Sequence, residues 1–266
     1  MIGNSKEYDI MAAVESQHWW YLNLHSQVLH AIKFYSPQHD AHLKILDAGC
    51  GTGGLLIALK RSGYVNAEGF DLSVDAVLHA QAKGLPVKQG DLNQINTYAK
   101  PESFDVIVNN DTLYHLSVSQ RSHFFKSCLS LLKPGGLMIL NVPALNAFAG
   151  NHDLAVGITK RFSKSELLPF IARTGFVVIS ARYGPFMLSP IIWGARVLQK
   201  LRRLVSPKFA NFSNNQPIEV YRSDLSLPHP IVNHVLLSIC RLEQGIPFSM
   251  PWGSSLFMIL KKSDHF

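Results

Sequence analysis

Residues 47–53 read Asp-Ala-Gly-Cys-Gly-Thr-Gly, an acid followed by glycine at every second position, directly after an apolar run. Glycines in that alternation permit a tight strand-to-helix turn, and they strip the backbone of side chains so that a nucleoside-bearing cofactor can lie against it. The helix beyond them points its positive end at negative charge. Further polar groups follow later apolar runs. Asp71, followed by Leu72, stands where an acid accepts from both hydroxyls of a ribose. Gly90-Asp91-Leu92 offers a carboxylate to an exocyclic amine such as that of adenine, and Asn109, Asn110 and Asp111 close the series. Any one of these acids is explained by a helix or turn cap, but the set in this order is hard to explain that way. Two histidines, His115 and His152, fall beyond the fourth and fifth apolar runs, the second beside Asp153. A histidine titrating near neutrality suits removal of a proton from a hydroxyl, with Asp153 orienting an imidazole or holding an amine. The competing account of His115 is packing against a loop, and twelve histidines leave room for chance placement.

These residues need a scaffold, and the periodicity supplies one. Strands are expected over 43–48, 67–71, 85–90, 104–109, 137–142 and 176–181. Helices are expected between them over 55–63, 74–83, 119–132 and 163–174. Ser163 with Glu166 forms a capping pair, Gly175 ends that helix, and Lys133-Pro134-Gly135-Gly136 breaks the one before. Strands alternating with helices mean an α/β, doubly wound, mostly parallel sheet, whose ligands sit outside the carboxyl ends of the strands. A last strand over 254–261 has no helix after it and is expected to lie antiparallel at the sheet's far end. Residues 1–40, with His18-Trp19-Trp20-Tyr21, and residues 185–250 fall outside this rhythm.

With 266 residues and 47% apolar content the chain can bury a substantial core as one domain. The expected division is an N-terminal helical lid over 1–40, a cofactor-binding core over 41–184, a helical insertion over 185–250 and a terminal core strand over 251–266. Three scattered cysteines argue for a reducing compartment, hence the cytoplasm, without a disulfide framework. His, Asp and Glu show no metal-ligand spacing, so metal independence is expected. The apolar run 186–198 is short and interrupted by Pro190 and Arg196, so it does not span a bilayer. Net charge is +7, with basic residues crowding the second half, which favours an anionic substrate or a phospholipid surface; no nucleic-acid-binding motif accompanies it. On a helix, Val197, Leu198, Leu201, Leu204 and Val205 share a face opposite Arg196, Lys200 and Arg203. That pattern describes an ordinary surface helix, or a segment 186–208 that touches a membrane or an apolar anionic substrate.

The glycine spacing is GxGxG, not the GxGxxG of nicotinamide enzymes. In combination, Asp47 to Gly53, Asp71, Gly90-Asp91, the strand 104–107 and the Leu-Lys-Pro-Gly-Gly turn at 132–136 resemble the class I S-adenosylmethionine-dependent methyltransferases over residues 40–184 and 254–261. The resemblance implies a seven-stranded Rossmann-like sheet, S-adenosylmethionine as cofactor and S-adenosylhomocysteine as product. It implies a cofactor site of Asp47, Gly49, Cys50, Gly51, Gly53, Asp71, Leu72, Asp91, Leu92, Asn109 and Asn110. Glu15 to Tyr21, residues 151–153, 160–163 and 253–256 are similar to a bacterial branch associated with polysaccharide, lipid-linked or secondary metabolism. That likeness implies methyl transfer to oxygen or nitrogen of a small or lipid- or sugar-linked acceptor, an anionic one included. Tyr8, Trp19, Trp20, Tyr114 and Arg161 are the expected acceptor-side residues, with His115, His152 and Asp153 as catalytic candidates. A non-catalytic cofactor-binding protein and a nicotinamide-dependent oxidoreductase remain the alternatives.

Overall fold

The computed structural model describes residues 5–36, 40–205, 225–246 and 250–263. Seven strands form one sheet in the order β3-β2-β1-β4-β5-β7-β6. The strands are β1 (Ile45–Ala48), β2 (Ala67–Asp71), β3 (Val87–Gln89), β4 (Phe104–Asn110), β5 (Leu132–Pro143), β6 (Phe176–Gly184) and β7 (Ser255–Lys262). The first five pair in parallel, and β7 runs antiparallel to both its neighbours. The crossover helices are α3 (Gly54–Arg61), α4 (Val74–Ala82), α5 (Val118–Leu131) and α7 (Lys164–Ala172), with the short α6 (Asn151–Val156) in the β5–β6 connection. Each lies within a few residues of its expected span. Ser163 caps α7 by accepting from Glu166 N, as its spacing predicts.

One expectation fails. β7 is not at the far end of the sheet but wedged between β5 and β6, and β6 is the edge. Residues 256–260 are buried without alternation, as a strand covered on both faces must be, whereas in β6 only Phe176 and Tyr183 are buried. The break at residues 133–136 is also tighter than expected. β5 begins at Leu132, immediately after α5, and its ladder with β4 shifts register between Phe104 and Val106.

The N-terminal helices α1 (Ser5–Val14) and α2 (Trp19–Tyr35) divide their work. Leu24, Val28, Ala31 and Ile32 of α2 are buried in the core on one sheet face, together with Leu55, Leu56 and Leu59 of α3. α1 and the first turn of α2 lie over the cavity at the sheet's carboxyl edge. His18 begins α2, its Nδ1 accepting from Trp20 N. Helices α8 (Ser189–Val205) and α9 (Pro230–Gln244) follow β6. Asn233 of α9 holds the α1–α2 corner, accepting from Trp19 N and donating to Gln17 O. Sequence also places a polar, proline-bearing linker over 206–230; residues 206–224, with Lys208, lie outside the described residues, as do the side chains of Arg203, Leu204 and Val205.

Candidate active site

A cavity of about 820 Å³ opens along the carboxyl edge of the sheet, beneath α1 and the start of α2. Its floor is the β1–α3 loop, where Gly49 N and Cys50 N donate to Phe70 O and so tie the loop to β2. Gly49, Gly51 and Gly53 all take left-handed φ (83°, 54° and 87°), each for a different reason. A Cβ on Gly49 would strike the Thr112 side chain, and one on Gly53 would strike Leu85. Gly53 faces the protein interior and does not line the cavity, contrary to the sequence expectation. Gly51 does line it, beneath Met11 of α1.

The carboxylates follow the sheet order. Asp47 is buried at the end of β1, and desolvation, with Asp71 and Glu15 nearby, pushes its carboxyl up to about 8. Asp71 accepts from Gly51 N and Ser73 N, both at 2.9 Å; burial raises its carboxyl and these bonds pull it back. Asp91 lines the cavity and also caps the following 3-10 turn, accepting from Asn93 N. Leu72, Leu92, Cys50 and Asn110 line it as expected. Among the described residues, Glu7 Oε2, Asn93 Oδ1 and Asn110 Oδ1 are buried at this cavity without a donor. Carboxylates and unsatisfied acceptors together fit a ligand rich in N–H and O–H groups, as the ammonium, ribose hydroxyls and adenine amine of S-adenosylmethionine are.

Asn109 is different. It is fully buried, its Nδ2 donates to Ala48 O and Thr112 Oγ1, and it does not reach the cavity. Its place in the cofactor set is corrected: it pins the end of β4 to β1. Asp153 is corrected too. Adjacent residues on a helix do not share a face, so Asp153 turns away from His152. It lies behind the cavity lining and takes Arg161, which does line the cavity, in a two-point ion pair, Nε–Oδ2 at 2.6 Å and Nη2–Oδ1 at 2.7 Å. Arg161 Nη1 also donates to Ala144 O and Ser254 O, fixing the guanidinium where β5 and β7 meet.

Tyr8, Trp19, Trp20, Tyr114, His115, His152 and Arg161 all line the cavity. Burial and the Asp71 charge push the Tyr8 phenol up to about 12. His115 lies against the Tyr114 ring with centroids 4.3 Å apart, and burial lowers its pKa. His18 is lowered by burial and by the neighbouring His152. Arg196 of α8 lies opposite Leu198 and Leu201, as the helical pattern has it, but it is Arg196 that turns into the cavity beside Gly150 and the two leucines that are exposed.

Two residues that the sequence reading named without giving them a role in the site complete it. Glu15 is nearly inaccessible; it accepts from Gly54 N at the start of α3 and pairs with Lys83 Nζ at 2.6 Å. Asp111 follows β4 with a φ of 51°, and Asn141 Nδ2 donates to both its carboxylate oxygens at 2.9 Å.

A sheet of this order, with a glycine loop after β1 and acids after β1, β2 and β3, is the architecture of the Rossmann-like S-adenosylmethionine-dependent methyltransferases. Residues 19–181 match the methyltransferase domain family, and the chain belongs to that family. It is similar to the ubiquinone biosynthesis O-methyltransferase of Rhizobium etli, 32% identical over 130 residues that cover 45% of this chain and 51% of the relative. The protein of the same name from Roseobacter denitrificans is 34% identical over 178 residues, 59% of this chain and 68% of the relative. The chain thus spans about half the length of some curated relatives it matches. An S-adenosylmethionine-dependent methyltransferase from Archaeoglobus fulgidus shares the fold with a TM-score of 0.56 at 15% identity, over 90% of this chain and 93% of that one.

Proposed function

We propose that this chain transfers a methyl group from S-adenosylmethionine to an oxygen or nitrogen of a small acceptor that carries an anionic group. The observation behind this reading is the cavity's division of charge. Asp47, Asp71 and Asp91 line the β1–β3 side, whereas His152 and Arg196 line the side beyond β5, next to an Arg161 already paired with Asp153. The acidic side suits the cofactor's cationic aminoalkyl group and its hydroxyls; the basic side suits a carboxylate or phosphate on the acceptor. When bound, the cofactor supplies an activated methyl group with a good leaving group, which leaves alignment, water exclusion and proton removal to the protein. In this reading Gly51 and Asp71 seat the cofactor. Tyr8, Trp19, Trp20 and Tyr114 wall the reaction from water, and His115 and His152 stand on the acceptor side. Residues 1–40 and 185–250 supply the cover and 41–184 with 251–266 the core of one domain.

We also propose peripheral contact of α8 with anionic lipid. No helix among the described residues is long and apolar enough to cross a membrane. Ile191, Trp193, Leu198 and Leu201 are exposed on α8 alongside Lys200 and Arg202, a combination that suits an anionic bilayer surface beside the cavity mouth.

Calorimetric titration with S-adenosylhomocysteine, with NADH and NADPH as controls, tests the cofactor. Micromolar binding that is lost in Asp71→Ala and Gly51→Val is expected, and binding of a nicotinamide nucleotide instead would overturn the reading. Labelled S-adenosylmethionine offered with hydroxyl and amine acceptors, with and without a carboxylate or phosphate, tests the rest. Binding without transfer to any acceptor would favour a non-catalytic cofactor-binding protein. Co-sedimentation with phosphatidylglycerol vesicles, reduced in Lys200→Ala/Arg202→Ala, is the expected result for α8.

A further inference from the structure

We infer that Asp111 is a catalytic residue, the group that takes the proton from the acceptor as it is methylated, held in place by Asn141 and, through Asn141, by Ser255. The inference rests on the methyl-transfer reading above and names the proton acceptor that reading leaves open.

Asp111 follows β4, the strand between the cofactor side (β1–β3) and the acceptor side (β5–β7) of the cavity it lines. Its left-handed φ of 51° is uncommon outside glycine, and the surroundings hold it there. They do so from two other strands. Asp111 N donates to Asn141 O at 2.9 Å, and the Asn141 amide donates back to both carboxylate oxygens. Ser255 Oγ of β7 donates to Asn141 Oδ1 at 2.6 Å, which fixes the amide with its N–H groups toward Asp111. The carboxylate is thereby oriented at one point of the cavity, as a proton acceptor requires.

The electrostatics agree. Burial pushes the Asp111 carboxyl up to about 7, while Asn141 and the Arg161 charge pull it down. The phenols of Tyr21, on α2, and Tyr114, in the turn after β4, lie near it and are raised by burial, with the Asp111 charge adding to it. A carboxyl balanced near neutrality is both available as a base and strong enough to take a proton from an acceptor that grows acidic during attack. The step balances. A lone pair on the acceptor's oxygen or nitrogen forms the bond to the methyl carbon, and the carbon–sulfur bond breaks with its electron pair remaining on sulfur. The proton from the acceptor passes to an Asp111 oxygen and then to solvent.

The test uses the full chain and Asp111→Asn, with Ser255→Ala as a second variant that leaves the carboxylate in place. The first readout needs no ligand. A carboxyl raised by folding favours the native state most below its unfolded pKa near 4, and that contribution fades as pH rises toward 7. The melting temperature of Asp111→Asn relative to wild type therefore rises across pH 4–7, and a flat difference overturns the inference. The second readout is turnover of 3,4-dihydroxybenzoate and phosphoethanolamine, probes for a hydroxyl and an amine acceptor. Asp111→Asn is expected to bind S-adenosylhomocysteine within about twofold of wild type and to lose about 10²–10⁴-fold in kcat. The acidic limb of the wild-type kcat profile, with its midpoint near 7, is expected to vanish, and in Ser255→Ala to shift. Turnover by Asp111→Asn within about threefold of wild type, or retention of the acidic limb, overturns the proposal and leaves the methyl-transfer reading standing. Absence of S-adenosylhomocysteine binding by the wild type overturns that reading itself, whereas the melting comparison still reports on Asp111.

Discussion

Replacing Glu15 with alanine removes the carboxylate that ties the corner between α1 and α2 to the cofactor loop. Two interactions go with it: the bond from Gly54 N at the first turn of α3, 3.1 Å, and the ion pair with Lys83, 2.6 Å. Loss of a capping acceptor at a helix N-terminus costs about 1 kcal/mol. Breaking a fully buried ion pair costs about 3–5 kcal/mol, but the Lys83 side chain is 27% exposed and regains water, which lowers this share to about 1–2 kcal/mol. Relief of Asp47, whose carboxyl is raised partly by the Glu15 charge, returns a little. The net loss is about 2–3 kcal/mol. At about 2–4 °C per kcal/mol for a domain near this size, the melting temperature falls by roughly 5–10 °C. Glu15→Gln keeps an acceptor for Gly54 N and falls by less. Calorimetric melts at pH 7 give both values, and limited proteolysis before residue 40 shows whether the corner has come loose. A loss under about 0.5 kcal/mol, or equal losses in the two variants, would mean that the carboxylate is no more than a surface ion pair and refute the reasoning.

Asp47, pushed up to about 8, holds its proton at pH 7, and a cationic aminoalkyl group beside it favours the carboxylate. Binding of S-adenosylhomocysteine at pH 7 is therefore expected to release a proton and to tighten as pH rises toward 8; calorimetry in phosphate and Tris, which differ in ionisation enthalpy, reads the release directly. Asn109→Ala leaves Ala48 O and Thr112 Oγ1 without their donor and is expected to cost about 1–3 kcal/mol in urea unfolding, with cofactor affinity changed less than about threefold. A large affinity loss with unchanged stability would return Asn109 to the cofactor set.

The sheet and its cofactor edge were legible because they rest on local pattern: strand–turn–helix alternation, and glycines where the chain turns left-handed. What was not legible depends on residues far apart in sequence. Glu15 meets Gly54 across 39 positions and Lys83 across 68, and nothing in the segment around it announces either contact. Asp111 reads as one more polar residue after a strand until Asn141 and Ser255 arrive from two other strands. Asp153 misled through adjacency, since a neighbour in sequence on a helix points elsewhere, and its partner Arg161 stands eight residues on. The position of β7 was signalled, in hindsight, by its unbroken apolar run; the absence of alternation marks a strand covered on both faces, as in the interior of a sheet and not at its open edge.

The wedge of β7 also sets a clock on biosynthesis. Asn141 and Ser255 lie 114 positions apart, which at about 5–20 residues per second is roughly 6–23 s of synthesis. Through that interval the edge of β5 is bare, and once β6 is made its edge is bare too; only β7 can satisfy both, and such edges invite pairing with other chains. The serine that steadies Asn141 arrives on the same strand that closes those edges. The nascent chain therefore completes its sheet and its acceptor-side pocket in a single late event, and is most in need of protection just before it gains activity.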